Sequence, residues 1–222
     1  MARRQTGKVI DDHYVLATYQ TLMDEIVRRQ KIISKVLGGK WPEVDQRTGE
    51  EICYFHFRMV CELIAIGCLV AHGDIVETRH GKLRHMYQAD AIIKMLERLH
   101  RDFYPIPQEQ VPTKTGQMQD LKDVTTSYLT KEELVRLYRK CGDILHIGSA
   151  DRWAHNWTRA PDLEEANNWQ GKIVVLLNQH RIRLIRKDYE LWATMVTDRG
   201  ASSASIFKYI GLKETVEFPL RD

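Results

Sequence analysis

The chain has no CxxC pair: its four cysteines stand at 53, 61, 68 and 141. That disfavours zinc-ribbon and thioredoxin-type sites, which need two sulfurs at close spacing. Cys53, Cys61 and Cys68 recur at roughly helical spacing in an apolar run and read as small buried hydrophobes. Long apolar runs are also missing. The most apolar stretch, Met59 to Ala71, is interrupted by Glu62 and is too short for a membrane span. Residues Met1 to Lys8 are basic, but no apolar core of a signal peptide follows them. These absences predict a soluble, cytoplasmic protein with no membrane association.

A strong charge excess is absent as well. Lys and Arg number 33 against 30 Asp and Glu, a net +3. That excludes a generally basic nucleic-acid coat, and 43% apolar residues exclude a disordered chain. The excess sits in residues 1–40, with eight basic against four acidic side chains; residues 161–222 carry nine of each. Affinity for any polyanion would have to come from local arrangement.

Signature motifs are few. Gly38-Gly39-Lys40 lacks the upstream glycine and the following Ser or Thr of a phosphate loop, and there is no Rossmann glycine pattern, HExxH or GxSxG. His72, Asp74, Glu77, His80 and His85 are close in sequence. Their spacing matches no metal-ligand signature, so no metal or other cofactor is expected.

What is present is helical periodicity. Asp11 or Asp12 caps a first helix to about Leu37, closed by Gly38-Gly39. A second, apolar on nearly every side, spans about Glu50 to His72 and suits a central buried helix. Arg58 and Glu62 interrupt it four residues apart, either as an ion pair inside a bundle or as a polar strip facing a site. A third helix fits Met86 to His100. Three of the six prolines fall within an irregular stretch from about Tyr104 to Leu129, which reads as a long functional or mobile loop. Thr130 and Glu133 form a capping box for a fourth helix through Leu145. Pro161-Asp162 opens a fifth, to about Asn178. Alternation over His180–Ile185, Leu191–Thr197 and Ser203–Ile210 then predicts a β-meander of about three strands. The expected fold is α+β and predominantly helical: a bundle over residues 1–180 with a meander, 181–222, packed on it.

The fourth helix carries the most suggestive chemistry. At 100° per residue Arg139 and His146 lie within about 20° of each other, and Asp143 shares their side. Leu134, Tyr138, Cys141 and Leu145 cluster on the opposite side. A guanidinium offers a charged planar fork to phosphate oxygens. An imidazole exchanges protons near neutral pH. The same residues also fit an i,i+4 surface pair with a histidine at a helix end.

On the Arg-x6-His spacing from Arg139 to His146 the sequence resembles the HEPN superfamily. Arg79 to His85 also matches the spacing but occupies a glycine-containing, loop-like stretch. The resemblance covers about residues 11–180. It implies a helical bundle that dimerises, joins two such stripes in one cleft and cleaves RNA without a metal, in a toxin or antiviral setting with a neutralising or regulatory protein partner. By that resemblance Arg139 and His146 are the catalytic pair, with Asp143 or Glu62 as an orienting carboxylate and Arg58 in support. Lys140 departs from the pattern, since many active members carry Asn, His or Asp after the arginine. Candidate RNA contacts are Arg152, Trp153 and Trp157 in the loop beyond the motif, and Arg181 and Arg183 on the first meander strand. The alternative is a non-catalytic helical dimerisation or protein-binding module.

Overall fold

Helix α1 (Asp12–Leu37) buries Val15, Tyr19, Met23, Ile26, Ile33 and Val36, three to seven residues apart and therefore on one face. It stops where Gly39 adopts a left-handed φ of 64°. That turn lets the Gly39 and Lys40 amides donate to the carbonyls of Val36 and Lys35, at 3.0 and 2.9 Å. Helix α2 (Gln46–Ala71) begins four residues before Glu50, because Asp45 caps it and accepts from the amides of Arg47 and Thr48 at 2.9 and 3.0 Å. The structure is a computed structural model and describes residues 12–73, 86–112, 119–146, 160–186, 188–195 and 202–208.

Helices α3 (Ala89–Leu99), α4 (Lys131–Leu145) and α5 (Leu163–Leu177) complete the helical layer, and α2 contacts all of the others. The α1–α2 approach is close at Gly67, where a Cβ would sit 3.2 Å from Tyr19 Cε2. Tyr54, Phe57, Val60, Cys61, Ile64 and Cys68 of α2 are fully or almost fully buried. Each such large apolar side chain stabilises the fold by roughly 1.5–3 kcal/mol. By length and composition α2 is the one helix among the described residues that qualifies to cross a membrane, yet half of its most apolar window is buried in the bundle. All four cysteines are free and buried. Burial pushes the Cys53 and Cys141 thiols up to about 12, away from nucleophilic use.

The fold is α+β and mainly helical, with one five-stranded antiparallel sheet of order β2-β1-β3-β4-β5. The expected meander is there as β3 (Gln179–Arg183), β4 (Tyr189–Thr194) and β5 (Ser203–Lys208). The expected loop between Tyr104 and Leu129 instead contains a hairpin, β1 (Ile106–Pro112) and β2 (Gln119–Asp123). Prolines usually stop a strand by removing a ladder donor. Here β1 pairs with β3 only at Ile106 and Pro107, and Gln108 to Pro112 face β2 alone. Most of β1 is thus one-sided and tolerates its prolines. Because the sheet draws on residues 106–123, a boundary at residue 180 does not separate helices from strands.

The sheet is tied to the bundle by polar contacts. The Tyr19 hydroxyl donates to His180 Nε2 at 2.6 Å, and His180 Nδ1 faces the Leu177 carbonyl at 2.9 Å. Gln20 donates to the Ser202 carbonyl at 2.8 Å, and the Ser202 amide to Asp24 at 3.1 Å. His72 and His100 both reach the carbonyl oxygen of Arg183, at 3.1 and 3.0 Å.

Candidate functional site

Helix α4 starts on the capping box expected of it: Thr130 accepts from the Glu133 amide at 3.2 Å and the Glu133 carboxylate accepts from the Thr130 amide at 3.3 Å. Leu134, Leu137, Tyr138 and Cys141 are buried, so one face is welded to the core. The two flanks are anchored differently. On the α2 side Tyr138 is the centre of a polar seam. Its hydroxyl donates to Glu62 Oε1 at 3.0 Å and accepts from Arg58 at 3.1 Å. The Arg58 guanidinium also lies 4.5 Å from the Tyr138 ring centroid and 3.6 Å from Glu62. Burial and the bond to Glu62 push the Tyr138 phenol up to about 12. On the α5 side Lys140 is held by Glu165, and Glu133 accepts from Lys172 at 2.5 Å. Arg136 lies 5.4 Å from the Trp169 ring.

Between these flanks remains one arc of α4, and it carries Arg139, Asp143 and His146. All three are exposed, and none has a side-chain hydrogen bond or ion pair among the described residues. His146 is the C-cap: its amide donates to the Gly142 carbonyl at 3.0 Å while its own ψ of 127° leaves the helix. Seven helical steps put about 10 Å between the Cα atoms of Arg139 and His146.

The structure divides the remaining candidates. Arg58 and Glu62 face Tyr138 rather than the exposed arc, which is the ion-pair reading of that pair and not the open-strip one. Arg181 does not belong to an exposed basic patch. Its side chain is 10% exposed, with bonds to both carboxylate oxygens of Asp123 at 3.1 and 2.9 Å and to Glu190 at 2.5 Å. Two partners outweigh its single charge, and its strand lies inside the sheet, where a cation is retained only if paired. Arg183 is half exposed and reaches Asp102 at 3.4 Å. Arg152, Trp153, Trp157 and the Arg79–His85 match lie outside the described residues. So does the 74–85 part of the acidic, His-containing stretch, and His72 is buried on the carbonyls of Cys68 and Arg183.

The central part of Tyr138 was missed from sequence, where it counts as one of the apolar residues. A signal existed: a buried tyrosine brings a hydroxyl that needs a partner, and Arg58 and Glu62 are the two charged side chains in the most apolar part of α2. Comparison with protein-family models, curated proteins and solved structures returned no match.

Proposed function

We propose that this protein is a metal-independent endoribonuclease of the HEPN type, acting on RNA as a homodimer. The observation that carries the reading is the solvent arc of α4. An arginine, an aspartate and a histidine have no side-chain partner there among the described residues, while their neighbours Tyr138 and Lys140 are used to fix the helix. A helix fixed on two flanks that presents a guanidinium and an imidazole, both without partners among the described residues, is suited to phosphodiester cleavage by the 2′-hydroxyl of RNA. His146 would take the 2′-hydroxyl proton as general base and give a proton to the departing 5′-oxygen as general acid. Arg139 would hold the non-bridging phosphate oxygens as negative charge grows on them. Asp143, four residues from Arg139 on the same arc, would orient that guanidinium.

Among the described residues a single copy offers an arc rather than a cleft. Self-association would close it, and α2 offers a row for the purpose. Ile52, Phe55, Met59, Leu63, Ile66 and Val70 are spaced three or four residues apart and remain half-buried or exposed, with Phe55 48% exposed. Arg183 is a candidate secondary contact to the RNA backbone. The setting implied by the resemblance, a toxin or antiviral defence with a neutralising partner, belongs to the same proposal.

The test uses purified full-length protein and single-stranded RNA in EDTA, with Arg139→Ala and His146→Ala beside the wild type. The expected result is cleavage to fragments ending in a 2′,3′-cyclic phosphate, abolished in both variants. If the wild type leaves RNA intact, or both variants cut as well as it does, the reading fails. One observation favours a second reading, a non-catalytic dimerisation or protein-binding module: Lys140, at the motif position that departs from active members, is engaged with Glu165. That reading expects association without cleavage.

A further inference from the structure

Helices α1 and α5 run antiparallel and leave a groove between them. Gln170, at the middle of α5, donates to Ser34 Oγ at 2.6 Å and to the Gln30 carbonyl at 3.4 Å, in the second half of α1. His180, just past the end of α5, meets Tyr19 in the first half of α1. The groove encloses about 480 Å³, within the roughly 300–1,000 Å³ usual for small-ligand sites.

Its two ends differ in chemistry. Toward the sheet it is lined by Ile26, Val27, Leu177 and Met195; toward the α1 C-terminus by Ser34, Lys35, Lys40 and Gln170, with Lys31 on the α1 lip. No Asp or Glu is among the lining residues. Lys31, Lys35 and Lys40 are exposed and form no ion pair among the described residues. Val174, on the α5 lip, is 47% exposed despite being apolar.

We propose that this groove binds a single-chain anionic amphiphile, a long-chain alkyl carboxylate. The alkyl chain would cover Ile26, Val27, Leu177 and Met195, and the head group would lie among Lys31, Lys35 and Lys40. Charge confined to one end matches one head group. An acidic protein helix would need cations along the whole groove, and the sheet-facing end has none among its described lining residues. The proposal is independent of the chemistry on α4, which lies on another part of the bundle.

The experiment is isothermal titration calorimetry of the full chain with dodecanoate, held below the concentration at which it self-associates. Dodecyltrimethylammonium serves as the same tail with the opposite head, and acetate as the head alone. Saturable one-to-one binding of dodecanoate is expected, with no binding of acetate and weak binding of the cation. Val174→Asp, at an exposed position, should weaken dodecanoate at least about tenfold, and the double variant Lys35→Glu/Lys40→Glu should reverse the preference between the two tails. The circular dichroism spectra of both variants should match that of the wild type. Equal affinity for the two charged amphiphiles, or indifference to Val174→Asp, would overturn the proposal. So would binding only to anionic phospholipid vesicles, or only to an acidic amphipathic peptide, with none to monomeric dodecanoate.

Discussion

Strand β3 and helix α4 each carry one arginine and one histidine of interest, and the fold treats the two pairs in opposite ways. On β3, His180 and Arg181 are both buried. His180 is held between the Tyr19 hydroxyl and the Leu177 carbonyl, and Arg181 between Asp123 and Glu190. On α4, Arg139 and His146 are exposed, with no such partners among the described residues. Residue type is shared; what differs is whether other segments arrive with matching groups. A guanidinium already bonded to two carboxylates has its donors and its charge committed. One without partners keeps both for a ligand. The β3 pair therefore serves cohesion between sheet and bundle, whereas the α4 pair has no such commitment among the described residues.

This contrast is breakable by experiment. The largest effect is expected on α4: Arg139→Ala and His146→Ala should each lower RNA cleavage by about 100- to 10,000-fold, while urea unfolding stays within about 0.5 kcal/mol of wild type. Arg181→Met should do the reverse. Cleavage should persist, and stability should fall by about 3 kcal/mol, since Asp123 and the largely buried Glu190 lose their shared guanidinium and Glu190 keeps as its cation, among the described residues, only Arg183 at 3.8 Å. Loss of cleavage at normal stability in Arg181→Met would collapse the distinction.

Next comes pH. Burial, only partly offset by the bond to Leu177, holds His180 down at about 4, against an ordinary value near 6.5. The unfolded chain therefore takes up this proton more readily than the folded one. The stabilisation is complete above about pH 6.5 and drains away as pH falls toward 4, by about 3 kcal/mol in all. Urea titrations at pH 7, 5.5 and 4.5 should show that slope, and His180→Gln should flatten it. The smallest effect is at the seam: Tyr138→Phe removes one hydroxyl from Arg58 and Glu62 and should cost about 1 kcal/mol with cleavage retained. A large loss of cleavage there would extend the active arc to the seam.

Local rules made much of this legible in the sequence. The Thr130–Glu133 box, the Gly38-Gly39 stop and Asp162 before α5 each act within a few residues, and each is found where the sequence puts it. The apolar spacing of α1 and the alternation of the last three strands are equally local. The β1–β2 hairpin was not legible, because its residues are polar and proline-containing and its strand character comes from pairing with a partner. Arg181 was misread for a related reason. Alternation sets its side chain opposite Ile182, and that alone cannot distinguish solvent from a pocket of carboxylates contributed by residue 123 and by the next strand. The α4 stripe was legible as a stripe, since helix geometry fixes which residues share a side.

By itself, then, the sequence determined the helices, their ends, the late strands and the common azimuth of Arg139, Asp143 and His146, all of which depend on neighbours within about two helical turns. Only the tertiary structure decided which charges were neutralised. Asp123 was brought to Arg181 from 58 residues away and Tyr138 to Arg58 from 80, while no partner among the described residues was brought to Arg139. Pairing over such distances depends on how helices and sheet pack, which no local pattern encodes, and it separates a cation that holds the fold from one left free to bind.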